Sequence, residues 1–154
     1  MSTWELYMTS YGWMLPFIIF YLVFWGLGKM SGWKELAEIY PLSSTDSDTE
    51  IKTFGFVSGK VGGVRYNNAL KIGINNRGIF FDVFFAMKLG HPRFFIPWTE
   101  IQALIEKKSF MTSFVEVKLK QKPDQKIILP KKIFGDGAFF RPYHLKVQDD
   151  YNVQ

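Results

Sequence analysis

The residues that could carry out acid–base, metal or nucleophilic chemistry are few and scattered along this sequence. It contains two histidines, His91 and His144, and no cysteine. Both histidines lie beside proline or aromatic residues in loop-like surroundings, and neither has an acidic residue at the spacing of metal ligands. The lack of cysteine excludes disulfides, thiol nucleophiles and cysteine-based metal sites. We therefore expect two surface or turn histidines, no metal and no cofactor.

Glycines and serines are numerous, but their spacing matches no catalytic motif. Gly55, Gly59, Gly62 and Gly63 suggest a phosphate-binding loop, yet no Gly-Lys-Ser/Thr follows and the Rossmann spacing is not met. Turns and bulges of a β-rich domain explain them better. No Gly-x-Ser-x-Gly sequence marks a serine nucleophile. We predict that the chain is not an enzyme, and an enzyme of unrecognised type is the third choice.

Binding is the class of function that is left, and the charge pattern gives candidate contacts. The net charge is +5, and lysine supplies 15 of the 19 basic residues. A domain held near an anionic leaflet gains about 1 kcal/mol from each such residue. The alternative, that these lysines only keep the domain soluble, stays open. The candidate interaction or lipid-facing residues are Lys29, Trp33, Lys34, Lys60, Arg65, Tyr66, Asn67, Asn68, Lys107, Lys108, Lys131 and Lys132.

One group among these residues differs in character from the rest. Arg65, Tyr66, Asn67 and Asn68 form a polar cluster, predicted as a loop that makes a contact or a structural network. The basic residues are not interleaved with exposed aromatic residues along one element, so nucleic-acid binding is disfavoured.

An apolar N-terminal segment must position these residues relative to a membrane. Residues 6–28 contain no charged residue and no histidine, and as a helix they would extend about 34 Å, enough for a hydrocarbon core of roughly 30 Å. Tyrosine and tryptophan flank the segment, as at membrane interfaces. Pro16 lies near the first turns, where a bend is expected. We predict a transmembrane helix over residues 6–30, after a short tail of residues 1–5.

A cleaved signal peptide and a buried core helix are the alternatives to a membrane span. A signal peptide begins with positive charge, whereas residues 1–5 contain Glu5 and no basic residue. Lys29 and Lys34 follow the span. The positive-inside tendency therefore places the N-terminus outside and the C-terminal domain in the cytoplasm, in a single-pass protein of the cell (inner) membrane.

The remaining chain divides into a short helix, a linker and a β domain. Residues 31–41 predict an amphipathic helix ended by Pro41, whose apolar face lies either among lipid headgroups or in the domain core. Residues 42–50 are a polar linker, residues 51–148 a β domain, and residues 149–154 a tail. The predicted strands are residues 53–61, 69–74, 78–85, 94–97, 113–120 and 125–129, with residues 98–107 ambiguous between strand and helix.

The turns and aromatic pairs of the β domain carry further expectations. Hairpins are predicted at residues 75–78 and 121–125. Phenylalanines 80 and 81, 84 and 85, and 94 and 95 are adjacent, and adjacent strand residues point to opposite faces. Both faces should then be covered, by a closed barrel as the first choice, or by the helix after the span or by another protein. Exposed pairs would indicate a docking module.

Three segments resemble a known kind of protein. Residues 91–101, with the sequence HPRFFIPWTEI, resemble the I-P-W-x-x-I element of small bacterial PH-like and GRAM-like domains. Residues 31–41 and 59–73 resemble small bacterial membrane proteins with one N-terminal transmembrane helix. The resemblance implies a mainly β fold, a PH-like split barrel or sandwich, preceded by one transmembrane α-helix. Such a barrel usually closes with a long C-terminal helix, but the stretch after Pro130, which contains Gly135 and Gly137, predicts only a short C-terminal helix. The resemblance implies no chemistry.

The function predicted from the sequence is that of a membrane-anchored accessory or interaction protein. Its partners would be the lipid bilayer and another membrane protein or a second copy of the chain, with no nucleic acid. The alternative is a module that binds anionic lipid headgroups.

Overall fold

A computed structural model of the chain describes residues 2–44 and 51–149, with all side chains in those ranges except residues 6–8. Most of the predicted linker and all but the first residue of the predicted tail lie outside the described residues.

The N-terminal segment is helical from Thr3, which is earlier than predicted. Helix α1 spans Thr3–Tyr11, a 3₁₀ turn follows at Gly12–Met14, and helix α2 spans Leu15–Met30. The Ser2 backbone N–H donates to the Glu5 carboxylate (3.0 Å), and the Glu5 N–H donates to the Ser2 carbonyl (3.1 Å). This reciprocal pairing resembles a capping box and begins the helix within the predicted tail.

The helical segment Thr3–Met30 is long and apolar enough to cross a membrane. That finding concerns length and composition, and a signal sequence satisfies the same test. A core helix would be mostly buried, whereas only 6% of the apolar window here is buried. Pro16 lies at the start of α2, where its missing N–H costs little.

A third helix, α3 (Trp33–Ile39), follows α2 after two residues. Its apolar face, formed by Trp33 and Leu36 and continued by Tyr40, is buried in the core of the β domain. The structure therefore decides between the two alternatives for this segment, because the face packs on the domain and not among lipid headgroups.

The described residues of the β domain form eight strands in one sheet. They are β1 (Lys52–Val61), β2 (Val64–Ile74), β3 (Gly78–Val83), β4 (Phe94–Pro97), β5 (Ile101–Lys108), β6 (Ser113–Leu119), β7 (Ile127–Pro130) and β8 (Val147–Asp149). The strand order is β4-β3-β2-β1-β7-β6-β5-β8. All neighbours are antiparallel except β5 and β8. The mainly β prediction is confirmed, and the ambiguous residues 98–107 form a 3₁₀ turn followed by β5.

The sheet differs from a closed barrel. Its order ends at β4 and β8, and the free side of β4 is covered by the chain after α3: Phe95 N–H donates to the Tyr40 carbonyl (3.0 Å) and Pro41 bridges Phe94. β1 pairs with β7 at two positions only, Lys60 with Ile128 and Val61 with Ile127. The two halves of the sheet, β1–β4 and β5–β7, therefore separate beyond this short contact.

Two predictions about local structure are wrong. The cluster at residues 65–68 is not a loop but part of β2, because the tight turn of this hairpin lies earlier, at Gly62–Gly63. The short C-terminal helix is replaced, within the described residues, by two 3₁₀ turns, Lys131–Ile133 and Arg141–Tyr143, and by β8. Pro142 and two glycines with positive φ, Gly135 and Gly137, prevent a longer helix there.

Candidate functional site

A cleft opens on the outer face of the sheet where β1 and β7 separate. It has a volume of about 680 Å³. On its β1 side the cleft follows an irregular stretch of backbone, where the β1–β2 register shifts twice, between Phe54 and Val57 and between Val57 and Gly59. We call this site the β1–β7 cleft. Its lining residues are Phe56, Ser58, Arg65, Asn68, Thr112, Ser113, Phe114, Pro130, Lys131, Lys132 and Gly135.

The bulged wall of the cleft is held by side chains and by unusual backbone conformations. The Ser58 hydroxyl donates to Asn68 Oδ1 (2.9 Å) and accepts a hydrogen bond from the Asn68 backbone N–H (2.9 Å). Asn68 and Phe56 both have positive φ, 49° and 51°. Asparagine tolerates this region, but phenylalanine rarely adopts it. Phe56 is nevertheless 70% exposed, so the strained residue presents its ring to the cleft.

Basic side chains line both walls of the cleft. Arg65 comes from β2, and Lys131 and Lys132 follow β7. Lys60, which pairs with Arg65 across the β1–β2 hairpin, lines an adjoining hollow of about 340 Å³ that shares Arg65, Ser58 and Thr112 with the cleft. The structure thus brings together five of the predicted site residues: Lys60, Arg65, Asn68, Lys131 and Lys132.

The charges in the cleft are only partly neutralised. Lys131 Nζ donates to Glu106 Oε2 (2.7 Å), and this hydrogen bond lowers the pKa of the Glu106 carboxyl. Lys60, Arg65 and Lys132 form no ion pair within the described residues. The cleft therefore has positive potential that favours an anionic group.

The predicted basic residues outside the cleft are paired with other groups. Lys107 Nζ lies 2.6 Å from Glu116 Oε2, and Lys108 Nζ lies 3.6 Å from Asp149. Burial alone would raise the pKa of the Glu116 carboxyl, but hydrogen bonds from Lys107 and Lys118 make the net shift downward. These lysines stabilise a carboxylate that is 2% exposed, so a structural role accounts for Lys107.

The membrane-proximal candidates also have local partners. Lys29 Nζ lies 5.2 Å from the centroid of the Trp25 ring, and Lys34 pairs with Glu38 one helical turn later (4.0 Å). Asn67 is exposed on β2.

The prediction that Trp33 and Tyr66 face lipid or a partner is wrong. Trp33 is 0% exposed and Tyr66 is 2% exposed, because α3 and the inner face of β2 pack together. Tyr66 does belong to a buried polar network. Its hydroxyl lies 3.1 Å from Ser31 Oγ and 2.8 Å from His91 Nε2.

The sequence predicted a surface or turn histidine at position 91, and the structure places His91 at the end of a turn but buried: its backbone N–H donates to the Lys88 carbonyl (3.0 Å). It is 1% exposed, and its Nδ1 lies 3.2 Å from the Leu89 carbonyl oxygen. Burial lowers the pKa of His91 and raises the pKa of Tyr66. Ser31 Oγ donates to the Gly28 carbonyl (3.1 Å), so the network joins the end of α2 to the domain. Its burial and its backbone partners favour a structural joint over a nucleophile.

An exposed aromatic patch adjoins the cleft. Phe56, Phe84 and Phe85 are exposed, with ring centroids 6.0 Å apart for Phe56 and Phe84 and 4.8 Å for Phe84 and Phe85. Of the three adjacent pairs, only this one is exposed on both residues, whereas Phe81 and Phe94 stack in the core (4.6 Å). In the described part of the chain, no group of three or more histidine or acidic side chains could hold a metal ion.

The comparisons with known proteins give a remote likeness. No family model and no curated protein matches the chain. A solved structure, the C-terminal domain of an unknown protein from Leishmania infantum, is similar over 60% of this chain and 79% of that one, with 20% identity and a TM-score of 0.41.

Proposed function

We propose that this chain is a single-pass membrane protein whose β domain is a non-enzymatic interaction module that binds an acidic segment of a partner membrane protein. The carrying observation is the β1–β7 cleft, where cations from two walls flank apolar side chains.

The anchoring part of this proposal is supported by how α2 meets the domain. The apolar residues of its first two and a half turns are exposed, whereas Gly28 is buried against the domain. The joint at Ser31 and the packing of Trp33 make the end of the helix part of the domain structure. A leader that is removed on export would not be expected to contribute in this way. With Lys29 and Lys34 after the span, the positive-inside tendency supports a cytoplasmic domain.

The strand order supports assigning a PH-like fold. Two antiparallel meanders, β1–β4 and β5–β7, meet only through the short contact of β1 with β7, as expected of a split barrel. Helix α3 contributes Trp33 and Leu36 to a core cluster that contains residues of both meanders.

The lining of the cleft suits an extended acidic segment. Phe56, Phe114 and Pro130 offer apolar contact, and Thr112 offers a hydroxyl group. The cations lie on both walls, so they can meet several carboxylates along a chain. Such complementary charge contributes most to the association rate and to specificity.

The test is co-purification in mild detergent, with charge reversal in the cleft. We expect the wild-type chain to retain a stoichiometric partner, and the double variant Arg65→Glu, Lys132→Glu to lose it. The matched control reverses Lys120 and Lys126, two exposed lysines outside the cleft. The mass of the purified complex distinguishes a second copy of the chain from another protein. Equal retention by both double variants would refute the role of the cleft.

The second candidate is an anionic lipid headgroup in the same cleft. It is favoured because Phe56, which lines the cleft, contacts the exposed ring of Phe84. The fragment tested must include α3, because Trp33 belongs to the core. The lipid function would be supported if residues 29–154 bind vesicles containing phosphatidylglycerol, lose that binding in high salt, and need Arg65 and Lys132 for it. If the full chain also retains no protein partner, lipid binding replaces partner binding as the proposed function.

A further inference from the structure

We propose that the loop of residues 84–91 lies in the headgroup region of the bilayer and seats the domain on the membrane surface. This inference rests on the proposed membrane span, and it concerns the loop beside the cleft, where the Phe84 ring lies 6.0 Å from the ring of Phe56.

The length of the helix fixes the depth of its last turns. Residues 6–28 carry no charge and as a helix extend about 34 Å, slightly more than a hydrocarbon core of roughly 30 Å, so the turn at residues 25–28 lies at the edge of that core. Trp25 then lies at the interface, where tryptophan is enriched. Lys29 follows one turn later, among the headgroups.

The loop is packed directly on these turns. A methyl group on Gly28 would lie 2.4 Å from the Gly90 carbonyl oxygen, and one on Gly90 would lie 3.2 Å from the Trp25 Cα. His91, which follows, is bonded to Tyr66 in the joint with Ser31. Because Gly90 packs against Trp25 and Gly28, this end of the loop lies at their depth, and Lys88 and Leu89 come directly before it.

The side chains that the loop exposes suit that depth. Phe85 is 73% exposed and Leu89 is 49% exposed, and Lys88 between them is also exposed. Apolar side chains interleaved with a lysine are typical of segments that lie in the membrane interface. A comparable apolar pair, Phe110 and Met111, lies in the turn between β5 and β6.

That second turn provides a control position. β6 runs from it for about 20 Å to the turn at residues 121–125. There Gln125 Nε2 donates to the Ser31 carbonyl (2.6 Å), and Lys122 pairs with Glu35. Phe110 thus lies about one strand length from the joint, although it is fully exposed.

The experiment is depth measurement on the full chain, which has no cysteine of its own. Single variants Phe85→Cys, Leu89→Cys, Phe110→Cys and Leu22→Cys are labelled with an environment-sensitive fluorophore in nanodiscs of phosphatidylcholine with phosphatidylglycerol. All four replaced side chains are exposed. Quenching is measured with aqueous iodide and with lipids that carry a shallow or a deep nitroxide.

The pattern of quenching decides the proposal. We expect the shallow nitroxide to quench the labels at positions 85 and 89. Iodide should quench these two labels several-fold less than it quenches the label at position 110. The deep nitroxide should quench the label at position 22. If iodide quenches the labels at positions 85 and 89 as strongly as the label at position 110, while the deep nitroxide still quenches the label at position 22, the loop inference is wrong and the span stands. If iodide also reaches position 22, both the span and the loop inference are overturned.

Discussion

Replacing Trp33 by alanine is expected to remove a large part of the stability of the β domain. Trp33 is fully buried, and its indole N–H donates to the Pro92 carbonyl (2.7 Å). Four rings lie with centroids 5.0 to 6.5 Å away: Tyr66, Phe81, His91 and Phe94. Alanine would leave a cavity among these rings and an unpaired carbonyl.

The size of the effect follows from this burial. Core Trp→Ala changes cost about 3–5 kcal/mol, against a total of about 5–15 kcal/mol for a domain. With a urea dependence of about 2 kcal/mol per molar, a loss of about 4 kcal/mol lowers the midpoint by about 2 M. Trp33→Phe keeps much of the ring contact but leaves the Pro92 carbonyl unpaired, which costs about 1–3 kcal/mol.

The assay is urea unfolding of the full chain in mild detergent, followed by near-ultraviolet circular dichroism. Trp13→Ala is the matched control, because Trp13 is exposed on the N-terminal helical segment, and its effect on the domain is expected within about 0.5 kcal/mol. Equal midpoints for the Trp33→Ala and Trp13→Ala variants would refute the burial of Trp33 in the core and return α3 to the headgroup region.

Two further predictions concern the joint between helix and domain. Gly28→Ala places a methyl group 2.4 Å from the Gly90 carbonyl oxygen, whereas the methyl group of Gly26→Ala meets nothing within 4 Å. We expect Gly28→Ala to lower the free energy of unfolding by about 1–3 kcal/mol and to speed hydrogen exchange in residues 84–91. Gly26→Ala should do neither. Similar exchange in both variants would contradict the contact. Burial lowers the pKa of His91 below its usual 6.5. At a pH between the lowered pKa and 6.5, His91 therefore binds more protons in the unfolded chain than in the folded chain. The free energy of unfolding then falls as the pH falls through that window. Urea midpoints from pH 5 to 7.5 should show this slope in the wild type and less of it in His91→Gln; identical slopes would show that His91 is not its source.

Sequence patterns predicted the local features of this fold well. In β6, Val115, Val117 and Leu119 alternate with Phe114, Glu116 and Lys118, which is the pattern of a strand with one buried face, and all three apolar residues are buried. The hairpins at residues 75–78 and 121–125 are confirmed, and β4 has the predicted bounds. These features depend on neighbours a few residues apart, so short patterns contain the information.

The features that the sequence did not reveal depend on distant residues. His91 meets Tyr66 across 25 positions, and Tyr66 meets Ser31 across 35; no spacing rule links them. The cleft likewise depends on bulges in β1 and on the two-position contact of β1 with β7. The charge pattern alone predicts Lys60, Arg65, Lys131 and Lys132 as candidates. They lie close together because β2, β1 and β7 are neighbours in the sheet, which no short sequence pattern shows. Glu116, on the predicted wet face of β6, is buried because two lysines cover it.

The joint has a consequence for how the cleft meets a partner. Only Ser31 and Gly32 separate α2 from α3, and both helices are packed on the domain at Gly28 and Trp33. The domain therefore cannot swing freely on α2, and in the proposed membrane arrangement its surfaces would hold fixed heights above the bilayer. The proposed partner in the same membrane would then meet the cleft already oriented, which lowers the entropic cost of binding. Because Phe56 contacts Phe84, a partner that binds over Phe56 would also touch the edge of the loop that we propose lies in the headgroup region. Disturbing the joint should then weaken partner binding even when every residue of the cleft is intact.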